Sequence, residues 1–385
     1  MPDVEGEVAP GFEPVRDALQ ASLDDGRDVG AGVALHVGGR NVVDIWGGAF
    51  EEGSDRPYDR DTLQLVFSTT KGATAICVAI LADRGLIDYD AKVAEYWPEF
   101  AAAGKADVTV AQLLSHRAGL PTVDAKLDLA QCLAWDPIVE ALAAQAPLWE
   151  PGTAFGYHAL TYGYLAGELV RRITGKSLGE FFAAEVAGPL GLEFWIGLPE
   201  SKESRVSPMI PAPPPPPALA ELMAAFMGPN TLGGRALSLN GAFDTGSGND
   251  LVFNRRAVHA AEVPAANGIT NARSLSRMYA ACIGEVDGVR LLSPEVVERA
   301  STRLTVGNDT CLMVEMAFGL GFMTYGPITL MGGEGSFGHA GAGGSLGFAN
   351  PKTGVAFGYV MNKMDMNIAG DSRVLALTDA VQSCL

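Results

Sequence analysis

Strand-like runs stand at the two ends of this 385-residue chain and helical patterns fill its middle, and that order restricts what it can fold into. Residues 11 to 25 read as an amphipathic helix with Phe12, Val15, Leu19 and Leu23 on one side. Two strand-like runs follow, residues 32 to 37 and 41 to 46, joined by Gly38-Gly39-Arg40 in a hairpin pattern. Beyond Gly85 the patterns are helical, at Val110 to Leu114, Pro137 to Ala146 and Tyr162 to Ile173. Residues 268 to 283 are again helical. From Gly319 strand-like runs return at 320 to 325, 346 to 349 and 355 to 360, and a helix from Asp371 to Val381 closes the chain. The economical solution pairs the terminal strands in one α/β domain, residues 1–85 with 262–385. Residues 86–261 then form a mainly helical domain, with a ligand site in the cleft between the two.

Composition narrows the function classes. A net charge of −18 argues against nucleic acid and anionic membrane surfaces as partners. The five cysteines are odd in number and lack a C-x-x-C pair, which fits reduced thiols better than a disulfide frame. Neither a secretory signal nor a run of membrane-spanning length is evident, so a cytoplasmic, soluble protein is expected. No histidine, cysteine or carboxylate cluster has metal-ligand spacing, and no cofactor is called for. Pro213 to Pro217 read as an extended surface loop near the rim of the site, or as a ligand for a proline-recognition module.

The stretch with chemistry is Ser68-Thr69-Thr70-Lys71, at the entry to an apolar run, Ala73 to Leu81, that ends before Gly85. A helix starting at or just before Ser68 carries Lys71 onto the same face one turn later. A serine hydroxyl needs a base, and a lysine serves only if its charge is disfavoured by burial or a helix N-terminus. The bland reading is a capping serine and a solvated lysine. Two other segments bear on Ser68. The loop Tyr157-His158-Ala159 offers a phenol that can take the nucleophile's proton if a neighbouring ammonium stabilises the phenolate. The glycine-rich run 338 to 347 allows close backbone approach, and its amides can complete an oxyanion hole with the Ser68 N–H.

Taken in order, Ser68-Thr69-Thr70-Lys71, Tyr157-His158-Ala159 and His339-Ala340-Gly341 resemble the three motifs of the serine β-lactamase and penicillin-binding-protein superfamily. The likeness is greatest to its class C-like branch and the family VIII carboxylesterases. It extends over residues 15 to 380 and includes Leu113 to Leu120 and Leu86 to Asp90. The resemblance implies a β-lactamase-like fold, with a largely antiparallel sheet flanked by helices plus a helical domain. It implies Ser68 as acylated nucleophile, Lys71 as base or relay, and Tyr157 as general base and acid. It further implies an oxyanion hole of the Ser68 and Ala342 amides, and substrate contacts at His339, Gly341 and Ala342.

Two departures favour esters over β-lactams. Ala159 stands where an amide side chain would hold the substrate's acylamide, and His339 replaces a permanently charged lysine. With His339 in that place, residual β-lactam binding should strengthen as pH falls from about 8 to 6. The expected activity is cleavage of short- to medium-chain acyl esters, with lactamase, peptidase, amidase or acyltransferase activity as neighbouring chemistry and a silent scaffold as the other class. A competing motif, Gly343-Gly344-Ser345-Leu346-Gly347, matches the G-x-S-x-G nucleophile elbow, but a strand, turn and strand follow it and no histidine does. His36 falls in a strand pattern, and His116 reads as a residue that orders its loop.

Overall fold

The pairing of strand Gly30–Val37 with strand Val355–Met361 joins the two ends of the chain, with Val33 opposite Tyr359. The computed structural model describes residues 3–244, 251–326, 331–366 and 371–385. Around that pair nine antiparallel strands form one sheet. Arg40–Gly48 and then Glu5–Val8 lie on one side. On the other side follow Leu346–Asn350, Phe337–Ala340, Met323–Thr324, Glu315–Phe318 and Thr305–Asn308. The architecture is the expected mixed α/β one with a large antiparallel sheet.

Small residues determine how closely helices approach this sheet. Ala34, Gly358 and Gly347 stand opposite one another on three neighbouring strands, on one face. Helix Ala272–Ile283 lies on that row. A Cβ at Gly358 would come within 2.5 Å of Ala272 O, and one at Gly347 within 2.6 Å of the Tyr279 ring. The other face, on which Gly47 meets Leu23, receives helix Glu13–Asp24, which packs against the C-terminal helix Ser372–Ser383.

The middle of the chain is largely helical, and its helix Thr161–Thr174 packs on helix Thr70–Asp83. A small sheet links the segments: Leu63–Leu65 pairs with Val206–Ser207 and Ile269–Thr270, which in turn pairs with Phe194–Trp195. Its strands come from both sides of the expected boundaries at 85 and 262. The polyproline run is only partly a loop: Pro217 opens a helix, Pro217–Met227, none of whose residues is buried. All five cysteines are free, four of them buried. Among the described residues no helix is long and apolar enough to cross a membrane.

Candidate active site

A single 3₁₀ turn, Phe67–Thr69, delivers Ser68 to the start of helix Thr70–Asp83. Phe67 has φ +43°, a left-handed conformation unusual for a residue with a side chain. Two bonds hold the bend: Thr70 Oγ1 donates to Phe67 O at 2.5 Å and accepts from Gly268 N at 2.8 Å. Ser68 itself is half-buried, and every residue from Thr69 to Leu81 is buried.

Lys71 has no solvent exposure. Its Nζ lies 3.1 Å from Ser68 Oγ, 2.7 Å from Ala159 O and 2.9 Å from Ala265 O. Burial without a carboxylate partner pushes its pKa well below the ordinary lysine value. The Tyr157 ring stands beside it, with Nζ 4.8 Å from the ring centroid. Burial also pushes the Tyr157 phenol up, against a smaller opposing effect of its hydrogen bond with Ser68. Burial thus disfavours the charged form of both groups, which is the condition a lysine must meet to act as a base.

The Tyr157 loop is braced by two imidazoles. His158 Nε2 accepts the Leu120 N–H at 3.0 Å, and its Nδ1 is 2.6 Å from Gly156 O. His116 Nδ1 accepts the His158 N–H at 3.1 Å, and the His116 ring centroid is 5.1 Å from that of Tyr157. His116 thus braces the Tyr157 loop from a separate segment of the chain. Asp309 completes the support: its Oδ1 accepts the N–H groups of Cys311 and Leu312, both at 2.8 Å, and its charge is among the causes that raise the pKa of the Tyr157 phenol. Burial raises the pKa of Asp309 itself to about 6. The sequence carried no signal for Asp309, which lies 152 positions from Tyr157 and meets it only through the fold.

The third motif divides. Ala340, Gly341 and Ala342 line a cavity of about 380 Å³ together with Ser68 and Tyr157. His339 does not. It stands opposite Gly347, so strand alternation turns its side chain to the Ala272–Ile283 face while Ala340 and Leu346 face the cavity. His339 is fully buried, and burial first, then Lys71, lowers its pKa to about 3. The expectation that His339 touches substrate and charges between pH 8 and 6 is corrected on both counts. Ser345 is no elbow nucleophile either. It is buried, donating to Val66 O at 2.9 Å and lying 3.0 Å from Thr69 Oγ1, and it stitches the glycine-rich turn to the turn that carries Ser68.

The cavity wall is strongly apolar and holds seven of the chain's twelve methionines. Its charged lining among the described residues is Asp365 and Asp371, with no lysine or arginine. Ala212, Met223 and Met227 bring the segment around the prolines to its rim.

Comparison with known proteins gives a consistent set of relatives. Residues 15–380 match the Beta-lactamase family. The esterase/beta-lactamase LipL of Mycobacterium tuberculosis is 39% identical over 373 residues, covering 93% of this chain and 83% of that protein. The crystal structure of a family VIII carboxylesterase superposes with a TM-score of 0.89 at 42% identity, covering 99% of this chain and all of the other. A penicillin-binding protein homolog from Caulobacter crescentus superposes with a TM-score of 0.84 at 37% identity, over the full length of both.

Proposed function

Because this chain belongs to the Beta-lactamase family, we propose that it is a serine carboxylesterase that cleaves short- to medium-chain acyl esters through an acyl-enzyme on Ser68. The observation that carries this reading is the placement of Lys71, fully buried and 3.1 Å from Ser68 Oγ. Lys71 Nζ donates to Ser68 Oγ and to the carbonyls of Ala159 and Ala265, and the deprotonated amine, which burial favours, takes the Ser68 proton. Oγ then attacks the ester carbonyl carbon, and the oxygen that becomes negative sits between the backbone N–H groups of Ser68 and Ala342. As the tetrahedral intermediate collapses, Tyr157 gives its proton to the departing alkoxide and is reprotonated from the Lys71 ammonium. Water enters, loses a proton along the same route, and frees the acid and Ser68.

Two features favour esters over β-lactams. Ala159 supplies a carbonyl to Lys71 and no side-chain amide to a substrate. The described cavity lining holds no lysine or arginine with which a β-lactam's own carboxylate could pair. The test compares kcat/KM for p-nitrophenyl butyrate and a chromogenic cephalosporin on one preparation, with mass spectrometry to locate the trapped acyl group. The ester should be preferred by a wide margin, the acyl group should lie on the Ser68 peptide, and Ser68→Ala should abolish turnover. Comparable values for the two substrates would make the protein a lactamase, and a label elsewhere would remove Ser68 from the mechanism.

A further inference from the structure

Seven of twelve methionines around one cavity is a concentration that core packing alone does not require, since most apolar positions in this chain are Val, Leu, Ile, Ala or Phe. Two of the seven, Met223 and Met227, sit on helix Pro217–Met227, which has no buried residue and carries Leu222 and Phe226 exposed on its outside. Another wall is the sheet face of Ala340 and Leu346, which Met323, opposite Gly338, continues and beside which Met331 also lines the cavity. Ser68 and Tyr157 open into this space, so a group attached to the reacting carbonyl extends between the two walls. Methionine is unbranched and flexible, and its thioether adapts its shape to an apolar partner that is itself flexible. A volume of about 380 Å³ is at the small end of ligand pockets.

From this geometry we infer that the cavity is an acyl-chain site selective for unbranched aliphatic chains of medium length, optimally longer than butyryl. The inference rests on the esterase reading and refines its substrate class. A rigid branched or aromatic acyl group meets the same walls without the conformers that follow them. A charged acyl group of either sign meets an apolar wall.

The experiment measures kcat/KM for p-nitrophenyl acetate, butyrate, hexanoate, octanoate and decanoate, with the pivalate and benzoate esters beside them. A second series holds butyrate and lengthens the alcohol from methyl to octyl. Each buried methylene is worth roughly fourfold in water-to-apolar transfer, so octanoate should exceed acetate by at least about tenfold and both pivalate and benzoate by more. The double variant Met223→Gln, Met227→Gln changes half-buried residues, which keeps the fold intact by thermal denaturation, and should bring the octanoate-to-acetate ratio toward one. A falling series from acetate onward, a ratio unmoved in the variant, or chain dependence confined to the alcohol side would each overturn the acyl-chain site while leaving the esterase in place. Failure of every ester together with an unlabelled Ser68 would instead overturn the esterase reading itself.

Discussion

Lys71 Nζ is held by the carbonyls of Ala159 and Ala265 and by Ser68 Oγ, so once deprotonated it has the Ser68 hydroxyl within reach as its proton donor. Burial disfavours the ammonium, and the sign of its pH effect follows. With Lys71 as the base proposed above, the protonated form is the inactive one, and its pKa lies well below the ordinary lysine value. Activity should therefore fall on the acid side and reach its plateau well before the pH at which a solvated lysine loses its proton. A kcat/KM profile still climbing at pH 10 would contradict a neutral Lys71. Lys71→Ala and Tyr157→Phe should each lower kcat by about 10²–10⁴. Because one proton passes through both, the double variant should be little worse than either single one. Multiplying losses would mean that the two groups act separately.

Elements formed by local pattern were legible in the sequence; those made by tertiary pairing were not. The Ser68 helix, the first hairpin and helix Thr161–Thr174 carry their own period and their own glycine stops, with Gly85 and Gly175 at φ +68° and +72°. Strands Glu5–Val8 and Thr305–Asn308 are four residues each and exist through their partners, so no period announced them. Helix Pro217–Met227 was hidden by the prolines before it, although proline is well suited to a helix's first turn. The inward turn of His339 depends on strand register, which the motif alone does not contain. Contact between elements also fixes Gly72 on the Ser68 helix: a Cβ there would stand 1.9 Å from Tyr279 Oη. Gly72→Ala should lower stability by about 1–3 kcal/mol, despite the usual helical advantage of alanine. The loss should shrink in a Tyr279→Phe background, which thermal denaturation of the four variants would check. An unchanged loss would place the clash elsewhere.

On the scale of the whole molecule, one arginine closes the chain on itself. Arg373, 1% exposed on the C-terminal helix, bonds Asp28 Oδ1 at 3.0 Å, Asp371 at 2.5 Å and the carbonyl of Lys363 at 2.8 Å. Asp28 also accepts from Ser22 at 2.6 Å and from Tyr359 at 2.8 Å. The first helix, the central strand and the last helix thus share one buried polar cluster, and Gly343 O ties it to the glycine-rich turn beside the cavity. Arg373→Met leaves two buried carboxylates without their cation and should cost about 3–5 kcal/mol. Adding Asp28→Asn and Asp371→Asn should recover part of it. A single variant that melts like the wild type would show the cluster to be incidental.

The methionine wall also has a chemical liability. A thioether takes one oxygen atom from hydrogen peroxide, releasing water, and becomes a polar sulfoxide. Half-buried Met223 and Met227 are accessible enough to react before the buried Met316 and Met323. Mild peroxide treatment should therefore depress octanoate turnover more than acetate turnover while Ser68 remains open to labelling, and methionine sulfoxide reductase should reverse the change. Equal loss on both esters would point to damage at the nucleophile instead. A pocket shaped by sulfur adapts to its substrate and is, for the same reason, open to oxidants.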